Sequence, residues 1–384
     1  MKLIADNYSS VCSLGGDEIN IKYILDLRDF PDSPFADRVV HDYNVILSDP
    51  EVSVVIEVMG GSHPAYEFTS AALRAGKSVV TSNKEVVANF GDEFLALAQK
   101  CGVSYRFEAA VGGGIPVIAP LISCIKQNKI REVRGILNGT TNYILTKMFV
   151  FGERFETALL EAQQNGYAEG NPDADILGID ACRKISILTA LATEKLYSPD
   201  LIHTEGITKI RAVDVKRAEA MGCTIKLVGR CILEEGEKPF VIVAPFLIPD
   251  SEPLSSVSGV YNAIEILAEP LGNVMFYGKG AGAGATASAV IGDLCQIMRS
   301  GNKTAHPVFA KSEELRSVSE FSSEKYIALA PELAERAREL FGNIRVVCEE
   351  GEFAFITEEQ TEAKTEELLS RLGATPISLI RILG

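Results

Sequence analysis

Four carboxylates and one lysine are concentrated between Gly166 and Lys184. The carboxylates belong to Glu169, Asp173, Asp175 and Asp180. Asp180 and Lys184 are four residues apart at the start of an apolar-periodic run, so a helix there would project both from one face. Such a polar pocket could hold a small zwitterion and move one proton. An acidic loop beside an ordinary ion pair explains the same spacing, and spacing alone favours this second interpretation.

The order of residues in this stretch resembles the signature of the homoserine dehydrogenases. Ala162 is followed at the signature spacings by Gly-Tyr-Ala, Asn-Pro, Asp-Ile-Leu-Gly-Ile-Asp and Lys184, and every fixed position is matched. The run Asn-Gly-Thr-Thr-Asn-Tyr-Ile from Asn138 is similar to a second family segment. The resemblance implies an oxidoreductase that uses NADP or NAD to interconvert L-homoserine and L-aspartate 4-semialdehyde, in the biosynthesis of threonine, methionine and isoleucine.

The resemblance also implies catalytic and substrate-binding roles. Lys184 would transfer the proton, with Asp180 orienting it and Lys84 near the nicotinamide and the substrate. Carboxylates would bind the substrate ammonium, and N–H groups at a threonine-capped helix start would bind its carboxylate. The implied substrate-binding residues are Gly139, Thr140, Tyr167, Glu169, Asp175 and Asp180.

Two further sets of positions match family sites for a cofactor and an ion. The cofactor-binding positions are Gly60, Gly61, Thr81, Lys84, Gly166 and Gly282. The family places a monovalent cation such as Na⁺ at a glycine-rich hinge, and hard oxygen ligands suit such an ion. The matching positions there are Glu108, Val111, Gly113 and Ile115.

Composition limits the classes of function. The net charge of −15 repels phosphate backbones, so nucleic-acid binding is not expected. No apolar run is long enough to span a bilayer, and the first residues lack the pattern of a signal peptide. The eight cysteines form no Cys-x-x-Cys pair, which is typical of reduced thiols in a cytoplasmic protein.

The 384 residues predict an α/β chain of two or three domains. Alternating helices and strands predict a doubly wound, Rossmann-type nucleotide domain over residues 1–115. The resemblance implies that a helix near 285–300 packs back onto it. Residues 116–310 would form an α+β domain for substrate binding and dimerisation. Its strands 224–233 and 240–247 would form an exposed sheet that pairs with another subunit, in a homodimer or homotetramer. Residues 325–384 predict a βαββαβ, ferredoxin-like module that resembles ACT modules.

The predicted nucleotide domain is incomplete. The strand and Gly-x-Gly-x-x-Gly loop that open the family domain are absent before Met1, and that loop usually binds the pyrophosphate. A misplaced start codon or a truncated chain is favoured over natural loss, and the chain as written is expected to bind NAD(P) poorly. Asp26 would favour NAD, whereas Arg28 could bind a 2′-phosphate, so the preference stays open. The glycines from Gly278 to Gly284 are not assigned to the pyrophosphate, because no strand is expected to feed them within a βαβ unit.

Two alternative functions remain. A related reductase for another semialdehyde would need a nucleophilic cysteine or phosphate-binding arginines, and neither motif is present. The second alternative is a cofactor-deficient amino-acid sensor or partner subunit derived from this family. An in-frame apolar strand and glycine loop encoded upstream of Met1 would exclude the sensor, and an in-frame stop would strengthen it.

Overall fold

The computed structural model describes residues 1–300 and 307–384, which divide into two compact units. The first unit comprises Met1–Lys126, Ile187–Ser198 and Ala281–Ser312, and the second comprises Gln127–Ser186, Pro199–Gly280 and Glu313–Gly384. These units do not follow boundaries at residues 116–310 and 325–384, because the C-terminal segment belongs to the same unit as most of the middle of the chain.

The helices, in chain order, are α1 Lys2–Asp6, α2 Tyr8–Gly15, α3 Tyr43–Ser48, α4 Ala65–Arg74, α5 Lys84–Cys101, α6 Ile118–Pro120, α7 Gly139–Phe151, α8 Phe155–Gln164, α9 Asp173–Ile176, α10 Ile179–Thr193, α11 Ala212–Ala220, α12 Ala283–Ser300, α13 Ala334–Phe341 and α14 Glu362–Leu372. Within the described ranges, none of them is long and apolar enough to cross a membrane.

The strands, in chain order, are β1 Ile24–Leu25, β2 Val39–Val40, β3 Val54–Glu57, β4 Ser78–Thr81, β5 Tyr105–Arg106, β6 Lys129–Ile136, β7 Lys195–Leu196, β8 His203–Thr204, β9 Cys223–Ile232, β10 Phe240–Pro249, β11 Tyr261–Glu269, β12 Gly272–Lys279, β13 Ala310–Lys311, β14 Ser322–Ser323, β15 Lys325–Leu329, β16 Arg345–Cys348, β17 Phe353–Ile356, β18 Gln360–Thr361 and β19 Ser378–Ile382.

Parallel strands in the first unit confirm the predicted α/β architecture. Strands β3, β4 and β5 form one parallel sheet, and β1 and β2 form a separate parallel pair. Strand β3 is only partly buried, and Val58, the residue after it, is 64% exposed. The reason is that, among the described residues, β3 pairs only with β4, so its other edge is open.

The N-terminal helices and α12 share one apolar cluster in the first unit. Ile4 of α1 and Val11 of α2 are buried against Ile291 and Cys295 of α12. The apolar side chains at these positions recur at helical spacing, which gives each helix one buried face. The first unit is therefore completed by residues that lie far apart in the chain.

A ten-stranded sheet forms the centre of the second unit, with the order β12-β11-β6-β9-β10-β19-β15-β17-β16 and β8 beside β10. Strands β9 and β10 are almost entirely buried. The prediction that they form an exposed sheet for another subunit is therefore wrong. β19 pairs with β10 and extends the sheet, so among the described strands the edges of the sheet are β12 and β16.

The C-terminal segment has the predicted βαββαβ order. Its four strands lie in the order β19-β15-β17-β16, and each neighbouring pair is antiparallel, as in ferredoxin-like folds. The apolar side chains of β15 and β17 are buried against α13 and α14. The relation of this segment to ACT modules stays a prediction.

The open edge of β3 generates the first testable prediction. Val58→Lys places a charge on exposed surface, so we expect the free energy of unfolding to change by no more than about 0.5 kcal/mol. The new charge should also reduce self-association, because lysine blocks edge-to-edge pairing of strands. Chemical denaturation and light scattering over a concentration series measure the two effects.

The matched control is Val80→Lys on β4, where the wild-type side chain is fully buried. An unpaired buried charge should destabilise the unit severely. If Val58→Lys destabilised the protein as much as Val80→Lys, the edge of β3 would be covered in solution.

Candidate functional site

Asn138 connects a helix start to two carboxylates. It follows β6 and caps α7, because its Oδ1 accepts a hydrogen bond of 2.8 Å from the N–H of Thr141. Its Nδ2 donates to Asp175 at 2.7 Å and to Asp180 at 2.9 Å. The expected threonine cap is therefore wrong, since Asn138 has the extended backbone and short acceptor of a capping residue.

Lys184 lies one turn along α10 from Asp180 and is only 7% exposed. Its Nζ donates to Asp180 Oδ2 at 2.7 Å and to the carbonyl oxygen of Leu137 at 2.7 Å. An ammonium group has three donors. The third has no protein partner among the residues that the structure describes, so it can serve a ligand oxygen.

Asp175, at the start of the same polar cluster, is half-buried on α9. Burial is the main cause that raises the pKa of its carboxyl, and the nearby charge of Asp180 raises it further. The hydrogen bond from Asn138 opposes this shift. A cationic group bound beside Asp175 would favour its charged form.

The first two residues of α7 are placed to bind an anion. Their N–H groups have no acceptor inside the helix, and the positive end of the helix dipole lies there. A Cβ at Gly139 would lie 2.8 Å from the carbonyl oxygen of Val260, so only glycine fits this close approach. The hydroxyl of Thr140 donates to the carbonyl oxygen of Tyr167 at 2.7 Å, which ties the following loop to the helix start.

Three predicted residues of that loop lie at the surface. The ring of Tyr167 is partly exposed and contacts Tyr143, with 4.9 Å between ring centroids. Gly166 and Glu169 are exposed. No hydrogen bond or ion pair within residues 1–300 and 307–384 joins the Glu169 carboxylate to the cluster, so the structure does not bring this side chain together with Lys184.

Three of the predicted cofactor positions, Gly60, Gly61 and Thr81, lie at or just after the carboxyl ends of β3 and β4, in the first unit. Gly60 and Gly61 are exposed, and Asn83 Nδ2 donates to the carbonyl oxygen of Gly61 at 2.8 Å. Thr81 is instead fully buried, because its hydroxyl donates to Glu57 at 2.6 Å and accepts from the N–H of Asn83. The Thr81 side chain therefore supports the two loops from beneath rather than facing a ligand.

Lys84 and Gly282 also belong to the first unit, whereas Lys184 belongs to the second. Lys84 is the half-buried first residue of α5, and Gly282 is exposed just before α12. Strand β12 ends at Lys279, at the start of the glycine-rich run of residues 278–284. β12 pairs only with antiparallel β11 among the described strands, so no βαβ unit arises there.

At the predicted cation position, the carboxylate of Glu108 is bound by backbone N–H groups, which is not the arrangement expected of a side chain that binds a cation. Glu108 is buried, and its carboxylate accepts three hydrogen bonds, from the N–H groups of residues 117–119. The N–H of Glu108 donates to Asp293, whose carboxyl pKa burial raises to about 7. The carboxylate of Glu108 thus caps a helix, and a cation there would depend on backbone carbonyl oxygens, for which Val111, Gly113 and Ile115 stay predictions.

Three residues with central positions were not assigned to the site from sequence. Asn138 and Asn83 each stand immediately before a helix, and their preference for helix caps is a signal that could have selected them. Glu57 ends β3 in an apolar run, and its carboxylate accepts from Thr81 and from the N–H of Met59. A buried carboxylate at a strand end gives no sequence signal distinct from a surface one.

Comparison with known proteins gives consistent matches. The family model described as homoserine dehydrogenase matches residues 116–295, and the one described as homoserine dehydrogenase, NAD binding domain, matches residues 21–108. The homoserine dehydrogenase of Bacillus subtilis is 36% identical over 342 residues, which cover 86% of this chain and 77% of that protein. That of Synechocystis is 45% identical over 260 residues, covering 67% of this chain but only 60% of the relative.

Solved structures agree with these matches. A homoserine dehydrogenase from Thiobacillus denitrificans aligns with a TM-score of 0.91 at 30% identity, over 100% of this chain and 94% of that chain. A hyperthermophilic archaeal homoserine dehydrogenase mutant in complex with NADPH aligns with a TM-score of 0.66 at 28% identity, over 79% and 93% of the two chains. On the sequence matches to both domains, supported by these structures, the chain belongs to the homoserine dehydrogenase family.

Proposed function

We propose that this chain catalyses the NAD(P)-dependent interconversion of L-homoserine and L-aspartate 4-semialdehyde. The observation that carries the proposal is the buried Lys184 ammonium, which Asp180 and Leu137 hold with one donor left for a ligand. Asn138 binds Asp180 and Asp175 beside the free N–H groups of α7, so sites for a proton, a cation and an anion adjoin each other.

The arrangement suits an amino-acid alcohol. The N–H groups of Gly139 and Thr140 would bind the substrate carboxylate at the positive end of α7. Asp175 would bind the substrate ammonium, and Glu169 would join it from the exposed loop. Charge-assisted hydrogen bonds of this kind are about twice as strong as neutral ones, which favours a zwitterion over an uncharged alcohol.

Lys184 would exchange the proton of the reacting oxygen. In the direction of reduction, its ammonium gives a proton to the aldehyde oxygen and becomes a neutral amine. In the direction of oxidation, the amine takes the hydroxyl proton back. Asp180 and the carbonyl oxygen of Leu137 fix the position of Nζ in both directions, and a positioned acid–base group of this kind contributes about 10²–10⁴-fold to a rate.

The nicotinamide supplies or accepts the hydride at the terminal carbon of the substrate. The residues of the first unit fit the nicotinamide side of NAD(P), because Asn83 fixes the exposed loop of Gly60 and Gly61 at the carboxyl end of a parallel strand. At the end of β1, the carboxylate of Asp26 is bound by the guanidinium of Arg28 through two contacts of 3.1 Å, so both NAD and NADP remain compatible. No step depends on a cation.

The cofactor-deficient sensor is not favoured. A sensor needs to bind an amino acid but has no use for a buried lysine with a spare donor, whereas perturbed and buried ionisable groups are concentrated at catalytic sites. Homoserine-dependent reduction of NADP or NAD by the purified chain tests the proposal, with serine and threonine as control alcohols. The cofactor is titrated to saturation, because weak NAD(P) binding by this chain is expected. Equal or absent reduction with all three amino acids would contradict it.

A cytoplasmic homodimer or homotetramer is part of the proposal. The edge strand β12 exposes Met275 and Tyr277, and Leu271 is exposed beside it, which supports burial of this edge by another copy. No disulfide joins cysteines within the residues that the structure describes, as is typical of a reducing compartment. Sedimentation velocity measures the oligomeric state directly.

Lys184→Ala should lower kcat by about 10²–10⁴-fold at saturating homoserine and cofactor, because it removes the proton-transfer group. The measurement is the rate of NAD(P)H formation across pH. Lys364→Ala is the matched control, since it removes an ordinary ion pair with Glu367 on α14 and should leave the rate unchanged. A Lys184→Ala profile with wild-type height and shape would assign proton transfer elsewhere, with Lys84 next.

Asp175→Asn should weaken homoserine binding while keeping or raising thermal stability at neutral pH. The folded pKa of Asp175 is raised, so its charged form costs stability above that pKa, and the cost disappears as pH falls and the carboxyl is protonated. Differential scanning fluorimetry from acid to neutral pH should show the Tm of the variant increasing relative to that of wild type as pH rises. A stability loss that grows towards neutral pH would show that the charge stabilises the fold.

Glu169→Gln should raise the KM for homoserine by about tenfold, equivalent to about 1.4 kcal/mol, with little change in Tm because the side chain is exposed. Steady-state kinetics measure the KM for homoserine of this variant and of the control Glu156→Gln, which changes another exposed glutamate. An unchanged KM would leave Asp175 as the ammonium partner without Glu169.

A further inference from the structure

The loop of residues 204–207 packs directly on the turn of residues 176–178 in the second unit. The N–H of Ile207 donates to the carbonyl oxygen of Ile176 at 2.8 Å. A Cβ at Gly206 would overlap that same oxygen and lie 2.6 Å from Cα of Leu177, so the two backbones touch without an intervening side chain. Because close-packed backbones transmit displacements, the position of the loop sets the position of the turn.

That turn joins the two carboxylates of the candidate site. Helix α9, which carries Asp175, ends at Ile176, and α10, which carries Asp180 and Lys184, begins at Ile179. Asn138 donates to both carboxylates and can do so only while they keep their spacing. A shift of the turn would therefore change the geometry around Lys184.

The same loop is anchored from the opposite direction by the C-terminal segment. Arg381 of β19 is 3% exposed and forms an ion pair with Glu205 at 2.8 Å. Arg381 also binds Glu362 of α14 through two contacts of 3.0 Å, and Lys325 of β15 lies 3.3 Å from Glu362. Glu205 is the member of this ionic network that belongs to the loop.

Two further contacts hold Glu205 in place. Its backbone N–H donates to the carbonyl oxygen of Val243 on β10 at 2.7 Å, and its carboxylate lies 2.6 Å from Nε2 of His203. Burial would raise the pKa of Glu205, but the hydrogen bond with His203 and the charge of Arg381 lower it to about 2. Glu205 is therefore ionised at any pH at which a dehydrogenase is assayed.

We propose that Glu205 and Arg381 are positioning residues for the substrate site, through which the C-terminal βαββαβ segment holds the turn between Asp175 and Asp180. The inference rests on the proposed function, and it adds a role for residues that touch neither substrate nor cofactor. Displacements of about 1 Å at a reacting centre can cost about 10²-fold in rate. Residues that do not touch the substrate can therefore change kcat when they hold the turn that carries the catalytic groups.

A second ionic anchor of the segment supplies the control. Glu352, between β16 and β17, binds Arg211 and Arg217 with contacts of 2.6 Å each. These arginines flank and occupy α11 rather than the loop of residues 204–207. Glu352→Gln therefore removes one charge and loosens the same segment without releasing the turn at residues 176–178.

The experiment compares Glu205→Gln with Glu352→Gln in the full chain. For Glu205→Gln we expect kcat/KM for homoserine to fall by about 10- to 100-fold, faster amide hydrogen exchange over residues 173–180, and an unchanged Kd for NAD(P)H. Glu352→Gln should keep wild-type values of all three. Glu205→Asp keeps the charge on a shorter side chain, so its kcat/KM and its exchange rates should lie between those of wild type and those of Glu205→Gln.

A double-mutant cycle tests whether the two residues act together. Glu205→Gln combined with Arg381→Gln should lose about as much kcat/KM as the worse single variant, because the second change removes a pair that is already broken. Additive losses would show that the residues act independently and overturn the proposal. If Arg381→Gln fails to fold, the amide hydrogen exchange of Glu205→Gln over residues 173–180 decides whether the loop holds the turn.

Failure of this inference and failure of the proposed function have different signatures. A wild-type chain without homoserine-dependent turnover contradicts the function, while hydrogen exchange over residues 173–180 still tests the positioning. Unchanged exchange and kcat/KM in Glu205→Gln would overturn the positioning alone. Equal effects of Glu205→Gln and Glu352→Gln would also overturn it, because a general loosening of the segment would then explain both.

Discussion

The geometry of the candidate site depends on one carboxamide, that of Asn138. Its oxygen caps α7 and its nitrogen donates to both carboxylates of the cluster. An amide can do this because it offers an acceptor and two donors in one plane, which neither aspartate nor serine provides. The anion-binding helix start and the proton-transferring pair are thereby parts of one hydrogen-bonded arrangement, and neither can move without the other.

Buried charges specify the large sheet as well. Arg134 on β6 and Glu265 on β11 are register partners and form an ion pair of 2.7 Å with almost no exposure. Arg230 on β9, the register partner of Arg134, is neutralised by Glu132 at 2.6 Å. Such pairs add little net stability, but breaking one costs about 3–5 kcal/mol because a charge is left buried and alone. A slip of register by one residue would break both, so the charges fix the alignment of three strands.

The sequence predicted the local features well and the long-range ones poorly. The pairing of Asp180 with Lys184 follows from helical spacing, and the βαββαβ order follows from apolar periodicity. The pairing of β10 with β19 joins residues 246–247 to 381–382 and has no local signature, so the exposed sheet expected at β9 and β10 was wrong. The burial of the Thr81 side chain was not predictable for the same reason, since its hydroxyl donates to Glu57, whose position only the parallel pairing of β3 and β4 determines.

The packing of α12 on the N-terminal helices has a consequence for the order of folding during synthesis. The thiol of Cys295 lies against the carbonyl oxygen of Val11, 284 residues earlier in the chain. At about 5–20 residues per second, a ribosome needs roughly 15–60 s to make the intervening segment. During that interval the apolar faces of α1 and α2 lack their partner, while the chain of the second unit is already emerging. Helices α1 and α2 thus belong to a unit that is completed only after α12 has been synthesised, and chaperone protection of these helices would have to last that long.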